Sequence, residues 1–230
     1  MKLDLRTNEK PTIVSFSVTT ASPKRVRIYA IDPSRPLTRY TDRYVNLKGT
    51  REFELKFPVS PWSAESPTLY NVEYILLDTK GKVVQTATQK VGFRRIEIKN
   101  SELLFNGQPI IFYGINRHDF NKRTGRVISK EDYRADILAL KANNFNAIRT
   151  SHYPNDPVFL DLCDELGMYV IDEANVESHA FQNRLCDDQK YLSQLVDRVA
   201  RLVQRDINHA SVTFWSDRKS TRLNSSHVKR

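Results

Sequence analysis

Up to about Gly92, apolar and polar residues alternate in short runs: Val14, Phe16 and Val18 against Ser15, Ser17 and Thr19; Val26, Ile28 and Ala30; Phe53, Leu55 and Phe57 against Glu52, Glu54 and Lys56. A period of two turns one face of each strand inward. Turn signals at Ser22-Pro23, Asp32-Pro33, Lys48-Gly49 and Lys80-Gly81 separate the runs. Residues 1–97 are therefore expected to form an antiparallel β-sandwich of immunoglobulin type, with no side chain in it that points to chemistry.

After Asn100 the pattern changes to strand, helix, strand, helix. Strands are predicted at 110–115, 147–150, 168–171 and 212–215. Ser129 caps a helix over 130–143, Pro157 opens a second that stops at Gly167, and Leu192, Leu195, Val196, Val199, Leu202 and Val203 give a third a continuous apolar face. Parallel β/α units in this order predict the first half of a (β/α)8 TIM barrel over residues 98–216, so the chain is multidomain.

The composition fits this picture and excludes several classes. In 230 residues, 40% are hydrophobic and 27% charged, enough for one large or two ordinary cores. No run approaches the roughly 20 apolar residues of a membrane helix, and the first ten residues lack a signal peptide's apolar stretch. With Met1 as the natural start, a cytoplasmic protein with no membrane partner is expected. Cys163 and Cys186 lack metal-type spacing and are not expected to pair. The net charge of +9 is scattered, not striped. Its excess is local, because residues 217–230 hold five basic residues against one acid and without them the charge falls to +5. No nucleic-acid partner is expected.

In a β/α barrel the active site is built where the strands end at their C-termini. At or just past the end of the first predicted strand come Asn116, Arg117, His118 and Asp119; of the second, Arg149, His152 and Tyr153; of the third, Asp172, Glu173, Asn175, Glu177 and His179. Any one of these alone reads more simply as a solvated loop side chain. Carboxylates, imidazoles and a guanidinium recurring at three successive strand ends suit a sugar, whose hydroxyls need donors and acceptors together.

These residues also carry a family resemblance. The stretch NAIRTSHYPNDPVFLDLCDELGMYVIDEANVESH, residues 146–179, is similar to the signature region of glycoside hydrolase family 2. PWSAESPTLY from Pro61, VGFR from Val91, FNGQPI from Phe105, GINRH from Gly114 and RDINHASVTFWS from Arg205 agree with it. NRHD paired with DEANVESH resembles the β-galactosidase branch more than the β-glucuronidase branch. The resemblance implies retaining hydrolysis of terminal β-galactosides by an enzyme assembled as a homo-oligomer. It places His118 and His152 against the galactose ring, where their hydrogen bonds would stabilise an oxocarbenium-like transition state, with Arg149 in support. It also implies Mg²⁺ at Glu177 and His179; a hydrogen-bonded loop without an ion is the alternative.

A retaining glycosidase needs two carboxyl groups about 5–5.5 Å apart. The family's acid/base glutamate closes a motif that continues WS with LGNE, whereas Ser216 is followed here by Asp217, Arg218, Lys219 and Ser220. Ser220 stands where the glutamate is expected, and a serine hydroxyl is a poor proton donor near neutral pH. The family's nucleophile lies beyond residue 230. Residues 217–227 resemble instead one reading frame of a DNA sequencing adapter, so 217–230 is expected to be a non-native tail. The chain is thus expected to be an inactive fragment of a β-galactosidase; a related β-glucuronidase or a non-catalytic carbohydrate-binding protein is the alternative.

Overall fold

The structure is a computed structural model that describes residues 2–7, 13–31, 39–56, 59–176 and 188–217. The predicted turn at Asp32-Pro33, together with Glu177, His179, Cys186 and Ser220, lies outside those residues. The chain divides into two compact units, Met1–Ile111 with Asn208–Ala210, and Phe112–Ile207 with Ser211–Arg230.

In the first unit, β1 (Lys2–Thr7), β2 (Ile13–Ile31), β3 (Arg39–Lys56), β4 (Tyr70–Leu77) and β5 (Val83–Val91) form one antiparallel sheet. β2 pairs with β3 along one edge, and with β1 and then β4 along the other. Two expected turns are absent from it. Ser22-Pro23 lies within β2 and Lys48-Gly49 within β3. The ladder between these strands skips from Thr20↔Gly49 to Lys24↔Leu47, so the proline, which has no N–H to donate, sits in a bulge. The turn at Lys80-Gly81 does reverse the chain, with Gly81 at φ 84°.

β4 alternates as a half-buried strand should, with Tyr70, Val72, Tyr74 and Leu76 turned inward. Tyr70 meets Phe93 edge-on, and Trp62, fully buried, meets Phe105 the same way. The short strands β6 (Ile96–Lys99), β7 (Glu102–Phe105) and β8 (Gln108–Pro109) form a separate antiparallel sheet.

The second unit holds β9 (Gly114–Arg117), α1 (Lys130–Ala142), β10 (Ala147–Thr150), α2 (Pro157–Leu166), β11 (Tyr169–Glu173), α3 (Leu192–Asp206) and β12 (Val212–Ser216). The four strands are parallel and lie in chain order, β9 beside β10, β11 and β12. The helices begin and end where local chemistry dictates. Ser129 accepts from the Asp132 N–H while Asp132 caps Ser129 in return. Asp156 caps α2, Pro157 occupies its first turn, and Gly167 closes it at φ 75°. Lys141 Nζ donates to the free carbonyls of Leu166 and Gly167 at 2.6 and 2.9 Å.

Tyr133 and Ile137 of α1, Phe159, Leu160 and Cys163 of α2, and Ile148, Val170 and Val212 of the strands form the core between helices and sheet. Each large apolar side chain buried there contributes about 1.5–3 kcal/mol. The apolar face of α3 is narrower than its sequence implies. Leu195, Val199 and Leu202 pack on Ala174 and Val176, but Leu192 and Val196 are exposed among the described residues.

The first barrel strand begins later than its apolar run suggests. Ile111 and Tyr113 are exposed, and the Tyr113 N–H donates to the Asn146 side chain in place of a ladder partner. Pairing starts at Gly114, where a Cβ would lie 2.8 Å from the Ala147 carbonyl oxygen and 3.0 Å from the Ala147 Cβ. Because one of those neighbours is backbone, we expect Gly114→Ala to push β9 from β10 and cost about 1–3 kcal/mol. Urea unfolding followed by tryptophan fluorescence checks it; an unchanged midpoint would show that the strands yield freely.

Candidate active site

The register of the parallel sheet assembles the rim. Asn116 lies opposite Arg149 across β9 and β10, and Glu173 lies opposite Ser216 across β11 and β12. Residues paired in this way share a face, and their side chains meet. Arg149 donates from Nε to Glu173 Oε2 at 2.6 Å and from an Nη to Asn116 Oδ1 at 3.0 Å. His152, just past β10, sets Nδ1 2.7 Å from Glu173 Oε1, and Ser216 Oγ donates to Glu173 Oε2 at 2.8 Å. His118, after β9, is exposed and meets the His152 ring edge-on at 5.4 Å between centroids, with Tyr153 beyond at 6.1 Å. Thus His118, Arg149 and His152 come together at one end of the sheet.

Two of the residues expected on this rim are turned away from it. Arg117 is the last residue of β9, not a residue beyond it, and is buried. Its guanidinium lies over the rings of Tyr133 and Phe159 at 5.1 and 4.9 Å and pairs with Asp119 at 2.5 Å and Asp136 at 2.8 Å. Asp119 also accepts from the Tyr133 hydroxyl, and its N–H donates to the Tyr153 hydroxyl. This cluster anchors the chain on both sides of His118.

Asp172 is also fully buried, because neighbouring residues on a strand face opposite ways and Glu173 takes the rim side. Thr150 Oγ1 accepts from the Glu173 N–H and donates to Asp172 Oδ1 at 3.1 Å. Asp172 Oδ2 meets no donor, and the group it faces is Asp206, also fully buried, whose two oxygens each accept from Arg205 at 2.7 Å. Two facing anions would repel. Burial first, then the hydrogen bond and charge of Asp206, push the Asp172 carboxyl up to about 7. A proton on Asp172, donated to Asp206, satisfies both groups.

Cys163 is a free thiol, fully buried, and burial pushes its pKa up, which removes it as a nucleophile. Among the described residues no three His, Cys, Asp or Glu side chains gather as a metal group, and no helix is long and apolar enough to cross a membrane.

Parallel β/α units with a polar cluster at the C-terminal strand ends define a portion of a TIM-barrel domain of enzyme type. The comparisons with known proteins make the assignment specific. Residues 1–94 match the model of glycosyl hydrolases family 2, and residues 96–221 match the model of that family's TIM barrel domain. The chain belongs to glycosyl hydrolases family 2, the first unit as its immunoglobulin-like domain.

It is 44% identical over 199 residues to a β-galactosidase of Streptococcus thermophilus, covering 82% of this chain and 19% of that one. It is 46% identical over 157 residues to a β-galactosidase of Pectobacterium atrosepticum, covering 67% of this chain and 15% of that one. The chain thus spans a fifth or less of the length of these curated relatives.

Among solved structures, a Bifidobacterium dentium β-glucuronidase complexed with coumarin-3-O-glucuronide superposes with TM-score 0.82 at 21% identity, over 95% of this chain and 38% of that one. A Faecalibacterium prausnitzii β-glucuronidase gives 0.80 at 25%, over 97% and 36%.

Sequence reasoning places Glu173 on the rim but gives it no role, and passes over Ser216 and Asp206. The adjacency of Asp172 and Glu173 at a strand end is the signal available, since only one of two neighbours can face the site.

Proposed function

We propose that this chain carries the first half of the barrel of a retaining β-galactosidase, with the sugar-binding part of its site at His118, Arg149 and His152. The observation behind the choice of galactoside is the 44–46% identity to β-galactosidases, against 21–25% to the β-glucuronidase structures. A cluster of donors and acceptors on a rigid sheet end suits hydroxyl recognition, and bonds that strengthen as the ring flattens would lower the barrier to an oxocarbenium-like transition state. With Ser220 at the position expected for the acid/base, this chain binds without turnover.

In the whole enzyme Glu177 and His179 would supply two ligands to a Mg²⁺ ion beside the sugar site. Homo-oligomeric assembly of the whole enzyme, with no nucleic-acid or membrane partner, completes the reading.

Calorimetric titration of the 230-residue chain with isopropyl β-D-thiogalactoside and with methyl β-D-glucuronide tests the proposal. The galactoside should bind saturably and more tightly. His118→Ala should weaken it about tenfold or more, the worth of one good hydrogen bond, and no aryl β-galactoside should be hydrolysed. Tighter binding of the glucuronide would move the chain to the β-glucuronidase branch, and failure to bind either sugar would remove the sugar site.

A further inference from the structure

We infer that Glu173 is the positioning residue of this rim and sets which of its groups donate and which accept. The inference rests on reading His118, Arg149 and His152 as a sugar site. Glu173 has no exposed surface, whereas Arg149 and His152 keep 23% and 15% of theirs. The carboxylate therefore does not meet a ligand itself but acts through two side chains that do.

Both of its oxygens are engaged. Oε2 takes Arg149 Nε at 2.6 Å and Ser216 Oγ at 2.8 Å, and Oε1 faces His152 Nδ1 at 2.7 Å. Those partners come from β10, the turn after it and β12, so one group on β11 ties together the ends of the strands on either side.

The consequence for His152 follows from donor and acceptor inventory. A carboxylate only accepts, so the short contact requires the hydrogen on Nδ1. The Arg149 Nη, at 3.4 Å from the same nitrogen, is itself only a donor and cannot supply that bond. In the neutral ring Nε2 is then left as a lone pair. Glu173 thus fixes a guanidinium that donates beside an imidazole that accepts, the two directions of hydrogen bond that one sugar hydroxyl or two neighbouring ones require.

The test uses the 230-residue chain with ¹⁵N-labelled histidine. Long-range proton–nitrogen correlation spectra report the tautomer of each ring, and His152→Gln identifies the signal. His152 should carry its hydrogen on Nδ1. In Glu173→Gln the amide oxygen can serve Arg149 or His152 but not both, so the ring should shift toward the Nε2–H form, with affinity for isopropyl β-D-thiogalactoside falling about tenfold. Glu173→Asp, which keeps the charge, should restore the Nδ1–H form.

An Nε2–H ring in the unsubstituted chain would overturn the inference without any variant, as would an unchanged tautomer in a folded Glu173→Gln. Should Glu173→Gln not fold, the unsubstituted ring and Glu173→Asp decide the matter. If the chain binds no galactoside yet the tautomer responds as described, the sugar reading fails while the role of Glu173 in setting the ring stands.

Discussion

Arg117→Ala is expected to destabilise the chain by about 3–5 kcal/mol, because it strips a buried carboxylate of its partner without removing the carboxylate. The Asp119 side chain is 13% exposed and sits 2.5 Å from the guanidinium, so it cannot turn to water when the charge disappears. Burial alone would lower the Arg117 pKa. The hydrogen bonds and charges of Asp119 and Asp136 outweigh that and hold it above the ordinary value, so the group is charged at every accessible pH. The truncation also empties the space over Tyr133 and Phe159, removing two cation–π contacts.

Asp136 provides the contrast. Its side chain is 52% exposed and Arg117 keeps Asp119 as a charged partner, so Asp136→Ala should cost less, about 1–3 kcal/mol for the two guanidinium N–H groups it leaves open. Urea unfolding of both variants measures the difference. Equal losses would mean that Asp119 is relieved in some other way, and that Arg117 does not anchor the chain around His118.

Asp172→Asn should reshape the pH dependence of stability. The folded chain holds a proton on Asp172 up to about pH 7, whereas an unfolded aspartate releases it near its ordinary value of about 3.9. Between those values the folded state binds the extra proton, so stability falls as pH rises. The contribution is complete below the unfolded pKa and lost as pH passes through the folded one.

Asparagine is the neutral carboxyl made permanent: its amide donates to Asp206, its oxygen still accepts from Thr150, and nothing titrates. The variant should therefore gain on the parent by about 2 kcal/mol between about pH 5.5 and about pH 8.5. Unfolding free energies across that range provide the check, and a difference that stays constant with pH would rule out the shared proton.

The helices of the second unit are legible in the sequence because their signals are local. Ser129, Pro157 and Gly167 each act within one turn, and each stands where its chemistry requires. Strand ends depend on a partner elsewhere in the chain. Before Gly114 the Tyr113 N–H is taken by the Asn146 side chain, and the ladder starts where a missing Cβ lets Ala147 approach. Proline and glycine mislead in the first unit for a related reason, since the residues that make a turn also make a bulge, and only the facing strand decides between them.

The rim is legible in its membership and not in its organisation. His118, Arg149 and His152 lie at or just past the ends of predicted strands, and the resemblance singles them out. That Glu173 holds two of them while Asp172 turns toward Asp206 depends on the parity of a strand whose last residue no local pattern marks.

The parallel strands lie side by side in the order in which they are made, and this has a bearing on synthesis. Each strand that emerges from the ribosome finds its neighbour already present, so the sheet can grow by addition with short loop closures. Arg149 and His152 precede Glu173 in the chain and Ser216 follows it. The carboxylate can thus meet its first two partners about 40 residues before the third emerges, and, where Glu173 sets the donors and acceptors of the rim, that pattern can form ahead of the strand that completes it.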